Sequence, residues 1–202
     1  MNKLVYTIGY SGYKPVEFIY ELRQHKINVL IDVRSVPYSK YHSEYNKETL
    51  QAMLETQNIK YRNYSREYGA RQTERKFYTD GKLDFEKFAS SDAFLDGIKK
   101  VKSASNLGFT VALMCAEKEP EKCHRAILVA RELRDNSFEI RHIVPGQSDF
   151  SQEALEQKLV QNYFTGIEQV SLFSQNENSE EELIREAYRK RAFEIAYGGF
   201  KQ

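Results

Sequence analysis

The chain has 202 residues, 41% hydrophobic and 29% charged, which is long enough to bury a core without disulfide or metal staples and is not the composition of a disordered polymer. Lys and Arg number 30 against 29 Asp and Glu, and the formal charge of +1 excludes a globally polyanion-binding surface while leaving room for a local basic patch. No apolar run approaches the roughly 18 residues of a membrane span.

At the N-terminus, MNKLVYTIGYSGY has no long apolar core and no cleavage site, so a signal peptide is not expected. Two cysteines without an export signal read as reduced thiols in a cytoplasmic protein. Lys3–Ile8 is a β-branched and aromatic run closed by Gly9, the pattern of a buried strand. Pro15 opens a helix whose stripe is Phe18, Ile19 and Leu22, ending near His25. Asn28–Val33 is nearly all apolar, as a parallel strand covered on both faces should be. A polar tyrosine segment follows to Tyr45. Asn46 then caps a helix carrying Leu50, Met53 and Leu54, and Ile59–Tyr61 is a weak third strand.

From Asn63 to Gly81 the periodicity dissolves into Arg, Tyr, Gly and Thr. Asp84–Lys102 is helical, with a break expected at Ser90–Ser91–Asp92. Phe109–Met114 is the strongest strand, Pro120 opens a helix running to about Arg134, and Phe138–Val144 is a final strand ended by Pro145–Gly146. Ser151–Val160 reads as a short helix, Gln175–Ser179 as a polar linker and Glu180–Tyr197 as a charged amphipathic helix. Strands alternating with helices predict an α/β domain, Rossmann-like and three-layered, with a mainly parallel central sheet over residues 1–146 and a non-catalytic helical C-terminal extension over 147–202.

In such a sheet, sites form outside the carboxyl ends of the strands. That rule selects Gly9–Gly12, Asp32–Ser39, Cys115–Arg125 and His142. Gly9-Tyr10-Ser11-Gly12 is neither a dinucleotide fingerprint nor a P-loop and reads as a tight turn, with Ser11 the side chain able to reach a ligand. Asp32 and Arg34, two apart at a strand end, point the same way and either pair with each other or face a ligand. Cys115 and Glu117 end the best strand, and Cys123, His124 and Arg125 follow in the first turns of the expected helix. Arg125 stands ten positions beyond Cys115 across an acidic loop, which does not fit a phosphatase or rhodanese loop. A zinc site from Cys115, Cys123 and His124 has no recognised finger spacing, and neighbours on a helix point about 100° apart, so no metal is expected. A thiol near a helix N-terminus with His and Arg close by is a candidate nucleophile, whereas both cysteines also fit as small core residues.

By these residues the chain resembles the uncharacterised family catalogued as domain of unknown function 488. The shared signature is Thr7-Ile8-Gly9-Tyr10-Ser11, Asp32-Val33-Arg34-Ser35-Val36-Pro37, Glu67-Tyr68-Gly69-Ala70-Arg71, Met114-Cys115-Ala116-Glu117 with Pro120 and Cys123-His124-Arg125, and His142-Ile143. Tyr10 stands where many members carry His. The resemblance implies a compact α/β domain and supplies no activity, cofactor or substrate.

Three functional classes remain. The first is an enzyme on a phosphorylated or nucleotide-like substrate, with Asp32, Cys115, Glu117, Cys123 and His124 as catalytic candidates and Ser11, Arg34, Arg71 and Arg125 as substrate-binding ones. No cofactor is expected. The second is a nucleic-acid-binding module using the Tyr/Arg-rich segment 38–75, with an oligomer or partner contact through the C-terminal helix. The third is a non-catalytic polar network that locks loops together.

Overall fold

The structure is a computed structural model and describes residues 3–164 and 177–199. Its chain order is β1 (Lys3–Gly9), α1 (Pro15–Gln24), β2 (Val29–Asp32), α2 (Lys47–Glu55), β3 (Lys60–Asn63), α3 (Ser65–Tyr68), β4 (Tyr78–Thr79), β5 (Lys82–Leu83), α4 (Phe85–Ala89), α5 (Asp92–Asn106), β6 (Val111–Cys115), a π-helical turn at Arg125–Ala130 running into α6 (Arg131–Asp135), β7 (Phe138–Val144), β8 (Gln147–Ser151), α7 (Gln152–Phe164) and α8 (Glu177–Ile195). Six strands form one sheet in the order β3-β2-β6-β1-β7-β8, of which the first five are parallel and β8 is antiparallel. The expected α/β architecture with a mainly parallel sheet and flanking helices is therefore present.

Alternation along the strands divides the core into two layers. Val111, Leu113 and Cys115 of β6 face one layer with Val29, Ile31, Phe138 and Ile140, packed under α4, α5, the π-turn, α7 and α8. Ala112 and Met114 face the other with Leu30 and Ile143, under Phe18 and Leu22 of α1 and Leu50 and Leu54 of α2. The sheet order places β6 between β1 and β2, so the carboxyl ends of these three strands open side by side where the strand order reverses.

Several local expectations need correction. Asn46 precedes α2, but its side chain accepts from the Ser39 amide at 2.6 Å and leaves the helix uncapped. The helix expected from Pro120 to Arg134 is interrupted. Pro120–Lys122 is a single 3₁₀ turn, Cys123 is extended at φ −133°, and helical geometry resumes at His124. Asp84–Lys102 does split as expected, because Asp84 and Ser91 each cap a separate helix by accepting from Lys87 N and Phe94 N. The stretch before it conceals a hairpin, β4–β5, turned by Asp80-Gly81 with φ of 51° and 75°.

The region after residue 146 begins with a strand that joins the sheet at Val144↔Gln147. Leu155 and Leu159 of α7 and Ala187 and Tyr188 of α8 are fully buried in the larger core layer. Of the linker read at Gln175–Ser179, Gln175 and Asn176 lie outside the described residues, and the rest opens α8. Because Leu155 is wholly enclosed, Leu155→Ala is expected to destabilise the entire chain by about 2–5 kcal/mol in urea denaturation. A change below about 0.5 kcal/mol would place α7 outside the cooperative unit.

Candidate functional site

A cleft of about 390 Å³ opens at the carboxyl ends of β2 and β6. Its floor carries Cys115, Glu117, Cys123 and His124, and its walls include Tyr10, Arg34, Ser35, Tyr38, Arg71 and Lys122. Among the candidates chosen from sequence, Arg34, Arg71, Cys115, Glu117, Cys123 and His124 come together here. Asp32, Ser11 and Arg125 do not line the cleft.

Asp32 is fully buried and fully engaged. Its Oδ1 accepts from Arg34 N and Nε at 3.0 and 2.9 Å, and its Oδ2 accepts from Arg34 Nη2 at 2.6 Å and Tyr61 Oη at 2.7 Å. Arg34 Nη2 also donates to the Tyr45 carbonyl, while Nη1 is buried with no hydrogen-bond partner. The guanidinium lies 5.2 Å above the Tyr10 ring, itself stacked on Tyr45. Asp32 thus positions Arg34, and Arg34 is the member that meets the cleft.

Arg125 is fully buried behind the floor. Nη1 donates to the Glu117 carbonyl at 2.5 Å, Nη2 to the Lys118 carbonyl at 3.1 Å, and Nε to Thr7 Oγ1 at 3.4 Å. Gly9 completes this clamp, since a Cβ there would lie 1.7 Å from the Glu117 carbonyl oxygen. The glycine is required by close backbone approach and not by a phosphate. Ser11 donates its amide to the Ala116 carbonyl at 2.9 Å and ties down the same turn.

On the floor, Glu117 Oε2 lies 3.2 Å from Cys115 Sγ and 3.0 Å from Cys123 Sγ. His124 Nε2 lies 3.0 Å from the Val33 carbonyl oxygen, to which it must donate, so in the neutral form of the ring Nδ1 carries the lone pair, and it faces the sulfurs, each 3.9 Å away. The two Sγ atoms and Nδ1 all lie within 4.8 Å of one another. The helical argument that set Cys123 and His124 apart fails because Cys123 is extended and His124 helical, so the chain turns between them and leaves the thiol 3.9 Å from the ring nitrogen. Burial raises the Cys123 thiol, but its hydrogen bond with Cys115, the charge of Arg125 and the His124 ring outweigh this and hold it well below the ordinary thiol range. Cys115 moves the opposite way, through its hydrogen bond with Cys123 and then burial. Burial and the neighbouring Cys123 charge push Glu117 up, and His124 is raised because the Cys123 contacts overcome its burial. Of the two sulfurs, these opposite shifts make Cys123 the more readily deprotonated.

Sequence reasoning missed the far wall. Ile195, the last residue of α8, and Tyr197, just beyond it, line the cleft, and the Arg71 guanidinium stacks 4.8 Å from the Tyr197 ring. The C-terminal helix was expected to stay clear of the site, and these side chains correct that. Hydrogen bonds from Leu83 N to Tyr197 O and from Gly199 N to Gly81 O fasten the segment to the β4–β5 hairpin. No periodicity in the tail could have revealed this, because the contacts lie more than 110 residues apart in sequence. His142, chosen as a strand-end candidate, lies behind Arg125, with Nδ1 2.8 Å from Thr7 Oγ1.

Two measurements test the supports of the site. Asp32→Ala strands a buried guanidinium and is expected to cost about 3–5 kcal/mol in denaturant unfolding. Burial and then the Arg125 charge lower His142 to about 3, so the ring stays neutral in the fold while the unfolded chain takes a proton below about 6.5. Its contribution to stability is complete above that pH and declines by about 1.4 kcal/mol per pH unit as the pH falls toward 3. His142→Gln should remove about one proton from the pH slope of stability in that window; an unchanged slope would show that the ring is not held neutral.

A family model described as domain of unknown function DUF488 matches residues 14–131, which takes in the cleft lining except Tyr10, Ile195 and Tyr197. No curated protein and no solved structure matches the chain.

Proposed function

We propose a function for this chain, which belongs to the DUF488 family: it is an enzyme that acts on an anionic, phosphorylated or nucleotide-like substrate in the cleft at the carboxyl edge of the sheet. The observation that carries the reading is the meeting of two thiols, a carboxylate and an oriented imidazole on the floor of a cleft walled by cations and tyrosines. Charge-assisted hydrogen bonds to an anion would come from the unpartnered Arg34 Nη1, from Arg71 and from exposed Lys122. No carboxylate pairs with Arg71 or Lys122 among the described residues, so neither cation is already neutralised.

Tyr38, 64% exposed, and Tyr197 both line the cleft, and such rings suit a flat partner such as a base. Glu117 and His124 are the groups able to move a proton, and Cys115 and Cys123 bring sulfur to the reacting centre. Asp32, Arg125 and Ser11 act through others, as positioning residues.

The nucleic-acid alternative is weaker on burial. Tyr45, Tyr61 and Tyr68 of the 38–75 segment are core residues, and only Tyr38 and Tyr41 are strongly exposed there among its tyrosines. The polar-network reading describes Asp32–Arg34 and Thr7–Arg125–His142 well, but not thiols that line an open cleft.

Inorganic pyrophosphate and nucleoside diphosphates are the probes. Both should raise the melting temperature of the full chain, and Arg71→Ala should weaken them by roughly tenfold, the worth of one charged hydrogen bond, without changing the unliganded melt. Failure of every probe to shift the melt would overturn the reading. Binding of oligonucleotides alone, with a steep salt dependence, would replace it by the nucleic-acid one.

A further inference from the structure

Three of the polar side chains of the cleft floor also form a metal donor set. Cys115 Sγ, Cys123 Sγ and His124 Nδ1 lie within 4.8 Å of one another, and each sulfur is 3.9 Å from the nitrogen. Zinc–sulfur bonds of about 2.3 Å and a zinc–nitrogen bond of about 2.0 Å place tetrahedral S···N edges at roughly 3.5 Å. A small inward adjustment of three side chains would therefore complete three corners of a tetrahedron.

Three further observations point the same way. The imidazole is held by its remote nitrogen on the Val33 carbonyl at 3.0 Å, which is how a ligating histidine is commonly oriented with its free lone pair toward the metal. One oxygen of Glu117 touches both sulfurs, so a carboxylate stands at the fourth corner or beside it. All four residues line the cleft, which sets the donor set beside space that a substrate or water can fill. Packing alone explains why two cysteines are buried, but not why one carboxylate oxygen and one oriented ring nitrogen converge on both.

We propose that Cys115, Cys123 and His124 bind a thiophilic divalent cation, zinc by ligand class, with a fourth position that faces the cleft next to Glu117. Two thiolates offset the charge of the cation. The site deepens the enzymatic reading and rests on it for the role of the metal, though not for its binding. In that role the cation polarises an oxygen of the anionic substrate, or of water, at its open position.

The full chain, reduced and stripped with a chelator, is titrated with Zn²⁺ against a chromophoric chelator and separately with Co²⁺. One zinc per chain and a thiolate-to-cobalt charge-transfer band are expected. Cys115→Ser and His124→Ala should each weaken zinc at least about 100-fold, since even outer-shell partners of a metal are worth 10–100-fold. Thermal melts of the stripped variants show whether they fold, and the stoichiometry of the unaltered chain stands even if they do not. No stoichiometric uptake by the reduced chain would overturn the site. So would uptake unchanged in folded variants, or a Cys115–Cys123 disulfide whose reduction restores no binding. Normal zinc with no pyrophosphate or nucleotide binding supports the metal site and removes only the substrate assignment. Pyrophosphate binding by a chain that takes up no zinc does the reverse.

Discussion

A guanidinium with no exposure to solvent holds the cleft together. Arg125 spends its N–H groups on the carbonyls of Glu117 and Lys118 and on the hydroxyl of Thr7, and so joins the turn after β6 to the middle of β1 from beneath. Removing a cation from water is costly unless its donors are satisfied, which makes this arrangement demanding of its neighbours. Gly9 must lack a side chain for the Glu117 carbonyl to come close enough, and His142 must remain neutral beside Thr7. The same charge favours the Cys123 thiolate. One buried residue therefore shapes the turn, sets the electrostatics of the floor and restricts three strands.

A second buried cation is handled differently. Arg34 is neutralised by Asp32 in a bidentate pair whose remaining carboxylate capacity goes to Arg34 N and Tyr61. Asp32 follows Leu30 on the face packed by α1 and α2, whereas Cys115 follows Leu113 on the opposite face. The cleft is thus built where the two faces meet at the strand ends. The Asp32–Arg34 pair derives from one core layer and the sulfur-bearing floor from the other.

The C-terminal region closes both the sheet and the cleft. β8 pairs with β7 at the edge, Gln152 of α7 donates to Tyr188 of α8 and to the Ala126 carbonyl, and the segment after α8 pairs with the hairpin turn at Gly81. Gln152 reaches the π-helical turn that begins at Arg125, so the packing of α7 and α8 supports the clamp from outside. Among the described residues, no helix is long and apolar enough to cross a membrane.

Local pattern alone was enough to read the five parallel strands, the helices between them and the strand ends where polar groups collect, because burial on both faces of a sheet demands continuous apolar runs. It also marked Cys115, Glu117, Cys123 and His124, since reactive side chains at a strand end stand out against such runs. The β4–β5 hairpin at Asp80-Gly81 was not legible in the same way, because its strands are too short to show alternation. Everything that depended on two distant segments was decided by tertiary structure. Whether Arg125 faces a ligand or a carbonyl is set by the turn at Glu117, and whether Asp32 is free is set by Tyr61. The extended backbone of Cys123 broke the helix that Pro120 seemed to open and brought the thiol beside His124. Tyr197 reached Arg71 only because the chain returned across the hairpin. Periodicity encodes which side of an element is buried, but it carries no record of what an apolar or charged side chain will meet there.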